Sequence, residues 1–241
     1  DKITDIYATA SGSGEMLRCL VASTGEDFIG KDSNGKYYNN MSSKAVTDAM
    51  DYAVSLYENG YVMPQAEGDN WDYYQTAFQL GKAAMTFGEL YMCEPGQMYG
   101  DAMQDVIGFV MPPKPDGAEN HHSYGNNKIY VIPACYDAEM ASRIAFAYNV
   151  YTMPTPGYED SKNEIDKYYA YFEDARAVEE TIELLTYDGV MYCPNDKIIN
   201  ADTKLSEDIF WRYPFVGTTP EALVEDIRDS WDALIAEANG N

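Results

Sequence analysis

The sequence contains one glycine-rich turn whose backbone could bind a ligand directly. Residues 11–14 read Ser-Gly-Ser-Gly and are followed by Glu15 and an apolar stretch. This pattern predicts a loop that opens a helix, with an acidic side chain in the first helical turn. The first amide groups of a helix have no partner within the helix. We therefore expect free N–H donors beside a carboxylate at this point.

The chain is also rich in carboxylates and aromatic rings. Forty acidic residues stand against sixteen basic residues, which gives a formal net charge of −24, and 14% of the residues are aromatic. Sugars present apolar C–H faces that pack on aromatic rings, and hydroxyl groups that pair with carboxylates, amides and guanidinium groups. The composition suits both kinds of contact.

The same charge excludes some classes of partner. A polyanion such as nucleic acid, or an anionic membrane surface, is repelled at long range by a net charge of −24. We therefore expect no nucleic-acid partner. No apolar run approaches the ~18 residues of a membrane span, and 46% apolar residues predict a globular fold with a buried core.

Motifs for catalysis and for metal binding are missing from the sequence, which contains no GxSxG, P-loop or GxGxxG pattern. The neighbours His121 and His122 point to opposite sides of an extended chain, and no third ligand is suitably spaced. Forty carboxylates produce chance pairs, so they do not identify the acid-base couple of a glycosidase. We expect no cofactor, no metal and no enzymatic activity.

The four cysteines are far apart in the chain and form no Cys-x-x-Cys pair, which removes the common zinc and thioredoxin-type spacings. They are Cys19, Cys93, Cys135 and Cys193. The sequence allows one or two disulfides, and it equally allows free buried thiols.

Hydrophobic periodicity predicts strands that alternate with helices, which is typical of the α/β class. Helices are predicted over residues 43–59, 70–80, 137–151, 161–185 and 219–238. Strands are predicted over residues 83–87, 106–110 and 128–133. The dipeptide Asn34-Gly35 predicts a tight hairpin, and Thr219 with Pro220 predicts the start of the last helix.

Residues 78–88, Phe-Gln-Leu-Gly-Lys-Ala-Ala-Met-Thr-Phe-Gly, resemble a signature of the family 1 extracellular solute-binding proteins, the maltose-binding protein class. In that signature a helix ends at a Phe, a Gly-Lys turn follows, and a strand ends in Gly at the ligand cleft. Further segments follow in the family's order, at 35–37, 59–64, 107–112, 128–150, 210–211 and 219–223. The resemblance covers nearly the whole chain.

The resemblance implies a receptor that delivers a sugar or oligosaccharide to the permease of an ABC importer. It implies a type II periplasmic-binding-protein-like lobe, a mixed sheet flanked by helices, built from residues 1–127 and 186–241. Residues 128–185 would then belong to the N-terminal lobe, most of which is absent from this sequence. Segments 174–176 and 187–189 look like versions found in lipid-anchored receptors of Gram-positive bacteria. The implied location is extracellular, either lipid-anchored at the cell surface or periplasmic.

The resemblance also implies which residues contact the ligand. The positions that match the family's cleft are Trp211, Tyr91, Glu89, Glu15 and Ser13, and Arg212 and Tyr213 are added as neighbours of the tryptophan. Leu90 stands where the family often carries a stacking aromatic residue. Either Tyr91 supplies the ring, or this cleft recognises something that depends less on stacking.

Two other functions are compatible with the same residues. A carbohydrate-active hydrolase would share the aromatic and acidic bias of the composition. A receptor of the same fold for a peptide or a polyamine is the other alternative, because a strongly acidic cleft also attracts cations.

Overall fold

The structure is a computed structural model, and it describes residues 6–101, 103, 105–125, 130–154, 156, 157, 159, 165–187, 190–192, 198, 208, 209 and 218–240. Within these ranges the chain is a mixed α/β protein with six α-helices and six short strands. The α/β class that the sequence predicts is confirmed at this level.

The strands are β1 Tyr7–Thr9, β2 Ile29–Lys31, β3 Tyr37–Asn39, β4 Ala83–Met85, β5 Ser123–Gly125 and β6 Val190–Tyr192. The α-helices are α1 Ser13–Ser23, α2 Lys44–Glu58, α3 Tyr73–Gln79, α4 Ala138–Tyr151, α5 Glu183–Tyr187 and α6 Pro220–Ala238. Short 3-10 helices span Leu90–Cys93 and Lys167–Ala170, and a π-helix spans Ala177–Ile182.

The described strands form three two-stranded sheets, so the single mixed sheet that the sequence predicts is divided. Strands β1 and β4 are parallel, β2 and β3 form the antiparallel hairpin predicted at Asn34-Gly35, and β5 and β6 are parallel. An isolated parallel bridge joins Thr9 to Val62. Strand β1 therefore lies between β4 and residues 61–63.

Helix α2 forms where the helical period predicts it. The Ser43 hydroxyl accepts a hydrogen bond from the Val46 N–H at 3.3 Å, which satisfies one of the free amides of the first turn. Gly60 follows the last turn with φ of 70°, a left-handed conformation that favours glycine. The helix buries Val46, Ala49, Met50 and Ala53.

Helix α6 also begins as predicted, with Thr219 as its N-cap and Pro220 in its first turn. It buries the apolar face formed by Leu223, Val224, Ile227, Trp231 and Ile235. At its end, the Asn239 side chain accepts from the Tyr37 N–H and donates to the Tyr37 carbonyl, both at 2.9 Å. These contacts hold the C-terminal end of α6 against the β2–β3 hairpin.

Two hydrophobic clusters hold most of the buried side chains. The larger one, which we call the terminal-helix core, joins α1, α2 and α6 with the β2–β3 hairpin around Trp231. The second cluster joins the 3-10 helix Leu90–Cys93 and the partly buried Phe109 to residues 165–182. The second half of segment 128–185 thus shares a core with residues 90–109.

Helix α4 is confirmed as a helix, and the Asp137 side chain accepts from the Met140 N–H at 2.8 Å. All of its residues are described and none is buried, and Phe146 is 71% exposed. Its packing therefore differs from that of residues 165–182. The division of the chain into a lobe and a segment 128–185 stays a prediction.

Three predicted elements are wrong. Residues 106–110 have no regular secondary structure and pair with no strand in the described part of the chain. Residues 130–133 are exposed and form no strand, and residues 128 and 129 lie outside the described ranges. An apolar run satisfies the strand pattern locally, but a strand also needs a neighbouring edge with which to pair.

The single helix predicted over residues 161–185 is also wrong for the part that the structure describes. That part consists of the 3-10 helix, the π-helix and α5. Near the break, the Asp174 carboxylate accepts from the Arg176 N–H at 3.0 Å, and the Arg176 guanidinium contacts the same carboxylate. Such a local bond offers the backbone an alternative to a continuous helix.

Candidate functional site

The carboxyl ends of β1, β4 and residues 61–63 lie at one edge of the fold because the three segments run parallel. Ligands in open α/β folds bind in the crevice beyond such strand ends. Helix α1 begins just after β1, and Glu89 follows β4 through residues 86–88. We define the carboxyl-edge site by the residues at or near this edge: Gly12, Glu15, Arg18, Cys19, Tyr74, Glu89 and Tyr124.

Gly12 allows the Glu15 carboxylate to approach the start of α1 closely. It occupies the N-cap position, and a side chain at this residue would overlap the Glu15 carboxylate and crowd the Tyr74 ring. Its carbonyl accepts from the Met16 N–H at 3.2 Å, which closes the first turn. The half-buried Glu15 carboxylate therefore sits beside the helix N-terminus, where negative charge is stabilised.

Glu15 and Glu89 both act on the buried Cys19 thiol and on the partly buried Tyr124 hydroxyl. The pKa of the Cys19 thiol is raised to about 12, mainly by burial and also by Glu15 and Glu89, while Arg18 opposes them. Burial likewise raises the pKa of Tyr124, with smaller contributions from the same two carboxylates. The two acidic residues that the sequence predicts separately therefore lie within electrostatic range of the same two groups.

Rings and one cation complete the carboxyl-edge site. The Arg18 guanidinium carbon lies 5.3 Å from the centre of the Tyr124 ring, which is cation–π distance. Tyr74 is buried, and its ring meets that of Tyr73 edge to face with centroids 6.0 Å apart. The Tyr73 hydroxyl donates to the Met63 carbonyl at 3.0 Å, which ties α3 to the strand ends. The site thus combines acceptors, one donor and aromatic surface.

Leu90 and Tyr91 lie in the 3-10 helix that follows Glu89, and they have different surroundings. Leu90 packs against the second hydrophobic cluster, whereas Tyr91 is 44% exposed. Glu89 is half-buried and precedes the helix, without a side-chain cap bond of its own. Of the two neighbours, Tyr91 is the one that presents an accessible ring.

Four predicted contacts involve parts of the chain that the structure does not describe. Trp211, Arg212 and Tyr213 lie outside the described residues, so their role stays a prediction. The backbone of Ser13 begins α1, and its side chain is outside the description as well.

An open cavity of about 610 Å³ extends from the carboxyl-edge site along β4, which is a size typical of small-molecule sites. It is lined by β1, by residues 83–89 and by residues 105–113. Glu89 and Asp105 are the only charged side chains among the described lining residues. Thr9 and Tyr99 also line the cavity, and the buried Thr9 hydroxyl makes no hydrogen bond to a described residue.

Comparison with known proteins adds no assignment, since no protein-family model matches the chain and no curated protein matches its sequence. None of the helices in the described part has the length and apolar character needed to cross a membrane. Likewise, the described His, Cys, Asp and Glu side chains form no group of three that could hold a metal ion. The functional argument therefore depends on the geometry of the carboxyl-edge site.

The sequence reasoning missed four members of the carboxyl-edge site. Arg18 follows Glu15 by three residues on one helix face, which is a signal that could have identified it. Tyr74, Tyr124 and Cys19 reach the site through long-range packing, and no local pattern marks them. The three described cysteines, Cys19, Cys93 and Cys135, are free, and Cys193 lies outside the described residues.

Proposed function

We propose that this chain binds a sugar or an oligosaccharide as the extracellular substrate-binding component of an ABC importer, without turning the ligand over. The observation that carries the proposal is the convergence of Glu15 and Glu89 at the carboxyl ends of parallel strands, beside Arg18 and the Tyr124 ring. Carboxylates accept from sugar hydroxyls, a guanidinium group donates to them, and rings pack on C–H faces.

The carboxyl-edge site is half-buried, which makes such hydrogen bonds worth more than they are in open water. A hydrogen bond to a charged group contributes roughly 1.5–3 kcal/mol. Micromolar affinity needs only about −8 kcal/mol in all, so two carboxylates, Arg18 and one accessible ring come close to that total. We propose Tyr91 as that ring, with Trp211 as a second one.

The finer assignment also belongs to this proposal. In it the chain is a lobe of the type II periplasmic-binding-protein class, and a partner permease accepts the loaded receptor. Support comes from the ordered motifs, above all residues 78–88, where a helix, a Gly-Lys turn and a strand follow one another as the resemblance requires. Gly81 has φ of 66° in that turn.

The test is calorimetric titration with a panel of mono- and oligosaccharides, with product analysis of the same samples. We expect saturable binding without product, and at least about tenfold weaker binding in Glu89→Gln and in Glu15→Gln. Asp48→Asn is the matched control, because it removes the same charge from an exposed pair with Lys44. Its affinity should equal that of the wild type.

Each of two results would contradict the proposed sugar receptor and support one of the alternative functions. Release of shorter saccharides, abolished by one carboxylate substitution, would identify a hydrolase. Heat from a peptide or polyamine titration, with none from any saccharide, would identify a receptor for a cationic ligand.

A further inference from the structure

Residues 106–111 have the side-chain alternation of a strand. Val106 and Val110 are 64% and 79% exposed and Gly108 is exposed, while Ile107 and Phe109 are partly buried against the second hydrophobic cluster. This period of two is that of a strand with one face on a core. Pro112 and Pro113 follow and end the segment.

Along one edge, the backbone of this segment contacts residues 172–181. The Thr181 hydroxyl donates to the Phe109 carbonyl at 2.9 Å, and the Phe109 and Phe172 rings lie 6.1 Å apart. In a strand, successive residues direct their N–H and C=O groups to opposite edges. If Phe109 faces Thr181, the polar groups of Gly108 and Val110 face the other way.

Within the described ranges, that other edge has no partner. Residues 105–112 make no backbone–backbone hydrogen bond to any described residue. A side chain added at Gly108 would meet no atom within 4 Å, so the face of the segment at this residue is open. Edges of this kind are templates for the addition of another strand.

A second free edge faces the same cavity. Strand β4 is the outer strand of its sheet in the described part, with only β1 as its partner, and Ala84 and Met85 are exposed. Residues 83–89 and residues 105–113 both line the cavity of about 610 Å³. The structure therefore places two strand-like edges around one open space.

We propose that β4 and residues 106–111 form a slot for an extended peptide with apolar side chains at alternate positions and basic residues at its ends. The peptide adds as a strand, its backbone pairing with Gly108 and Val110. The basic ends follow from charge complementarity, because the only charged lining residues are Glu89 and Asp105 and the chain carries a net charge of −24. The slot shares Glu89 and the cavity with the carboxyl-edge site, but its pairing groups, at Gly108 and Val110, are not part of that site.

The first test uses the wild-type protein and a fluorescent peptide, Lys-Val-Thr-Val-Thr-Val-Lys with blocked termini, followed by fluorescence anisotropy. A copy that is N-methylated at alternate residues, on the edge that would pair, should bind at least about tenfold more weakly. A copy with Glu in place of both Lys should also bind at least about fivefold more weakly at low salt. Equal binding of the N-methylated copy would overturn the proposal, as would a lack of saturable binding.

The second test compares Val110→Pro with Val110→Thr. Proline removes the backbone N–H of an exposed residue, whereas threonine keeps it with a side chain of similar shape. We expect weaker peptide binding in Val110→Pro by about five- to tenfold, and unchanged binding in Val110→Thr. Equal affinity in both variants would overturn the slot. If Val110→Pro fails to fold by circular dichroism, the N-methylated peptide on the wild type decides.

Sedimentation of the wild-type protein distinguishes a peptide from a second copy of the chain. A monomer that binds the peptide supports the proposal. A dimer that excludes the peptide overturns it, because the edge would then pair with its own copy.

Discussion

Helix α2, which belongs to the terminal-helix core, and helix α4 begin with the same local sequence signals. They differ in how much of each helix is buried. Helices α2 and α4 each have an N-cap side chain that accepts a hydrogen bond from the third residue of the helix. Helix α2 then buries four residues against α1 and α6, while no residue of α4 is buried. A cap and a helical period therefore specify a helix, but they do not specify what covers it.

The difference also concerns how far apart in sequence the contacts are. In the terminal-helix core, the Asn239 side chain binds Tyr37 across about two hundred residues, and the Trp231 indole donates to Asp208 at 2.9 Å. The ring pair of Tyr130 and Tyr148, whose centroids are 4.9 Å apart, joins α4 to a segment only 18 residues away in the sequence. We expect stability to reside in the former region, and the predictions below test this contrast.

The largest effect is expected at Trp231, which has no exposed surface. Trp231→Ala should lower the free energy of unfolding by about 3–5 kcal/mol, because it leaves a large cavity and removes the partner of Asp208. Trp71→Ala is the control, since Trp71 is 67% exposed, and it should cost less than about 0.5 kcal/mol. Urea unfolding measures both, and equal losses would break the contrast.

The rate of thiol alkylation should differ between the exposed cysteine beside α4 and the two buried cysteines. Cys135 is exposed just before α4, whereas Cys19 and Cys93 are buried, and burial raises their pKa values to about 12 and about 11. Only the thiolate reacts, so at pH 8 iodoacetamide should modify Cys135 at least about a hundredfold faster. Peptide mass mapping identifies each site. Comparable rates at the three thiols would show that α1 is not protected.

Removal of the N-cap side chain should lower the free energy of unfolding more in α2 than in α4. Ser43→Ala should lower the free energy of global unfolding by about 1 kcal/mol, because α2 is packed into the terminal-helix core. Asp137→Ala removes an equivalent bond from α4 and should lower that free energy by less than about 0.5 kcal/mol, since only the local helix weakens. Urea unfolding followed by fluorescence reports the global step, and a larger loss in Asp137→Ala would contradict the account.

The smallest effect is expected at Phe146. Because its side chain is 71% exposed, Phe146→Ala should change the free energy of unfolding by less than about 0.5 kcal/mol. Met50→Ala, at a fully buried position of α2, should cost about 2–5 kcal/mol in the same assay. A loss above about 2 kcal/mol in Phe146→Ala would show that α4 is packed after all.

Elements whose ends are marked by capping or turn residues could be predicted from the sequence. Helix α2 between Ser43 and Gly60, helix α6 after Thr219, and the hairpin at Asn34-Gly35 all form where caps and turn residues place them. Residues 106–110 and 130–133 could not be predicted, because membership of a sheet depends on a partner strand that periodicity does not reveal.

The candidate site likewise contains residues that could be predicted from the sequence and residues that could not. Glu15 and Glu89 were predicted as separate contacts, and the parallel pairing of β1 and β4 brings them together. Tyr124 joins them through the packing of β5 against α1, which no spacing along the chain indicates. Trp211 stays a prediction.

The central claim is that Glu15 and Glu89 hold one ligand together at the carboxyl ends of β1 and β4. The most direct test titrates the tightest-binding saccharide of the panel into the wild type, Glu15→Gln, Glu89→Gln and the double variant. We predict that each single variant loses at least about tenfold in affinity, and that the double variant binds more weakly than either single variant, because both carboxylates contact the same ligand. Wild-type affinity in both single variants would contradict the account.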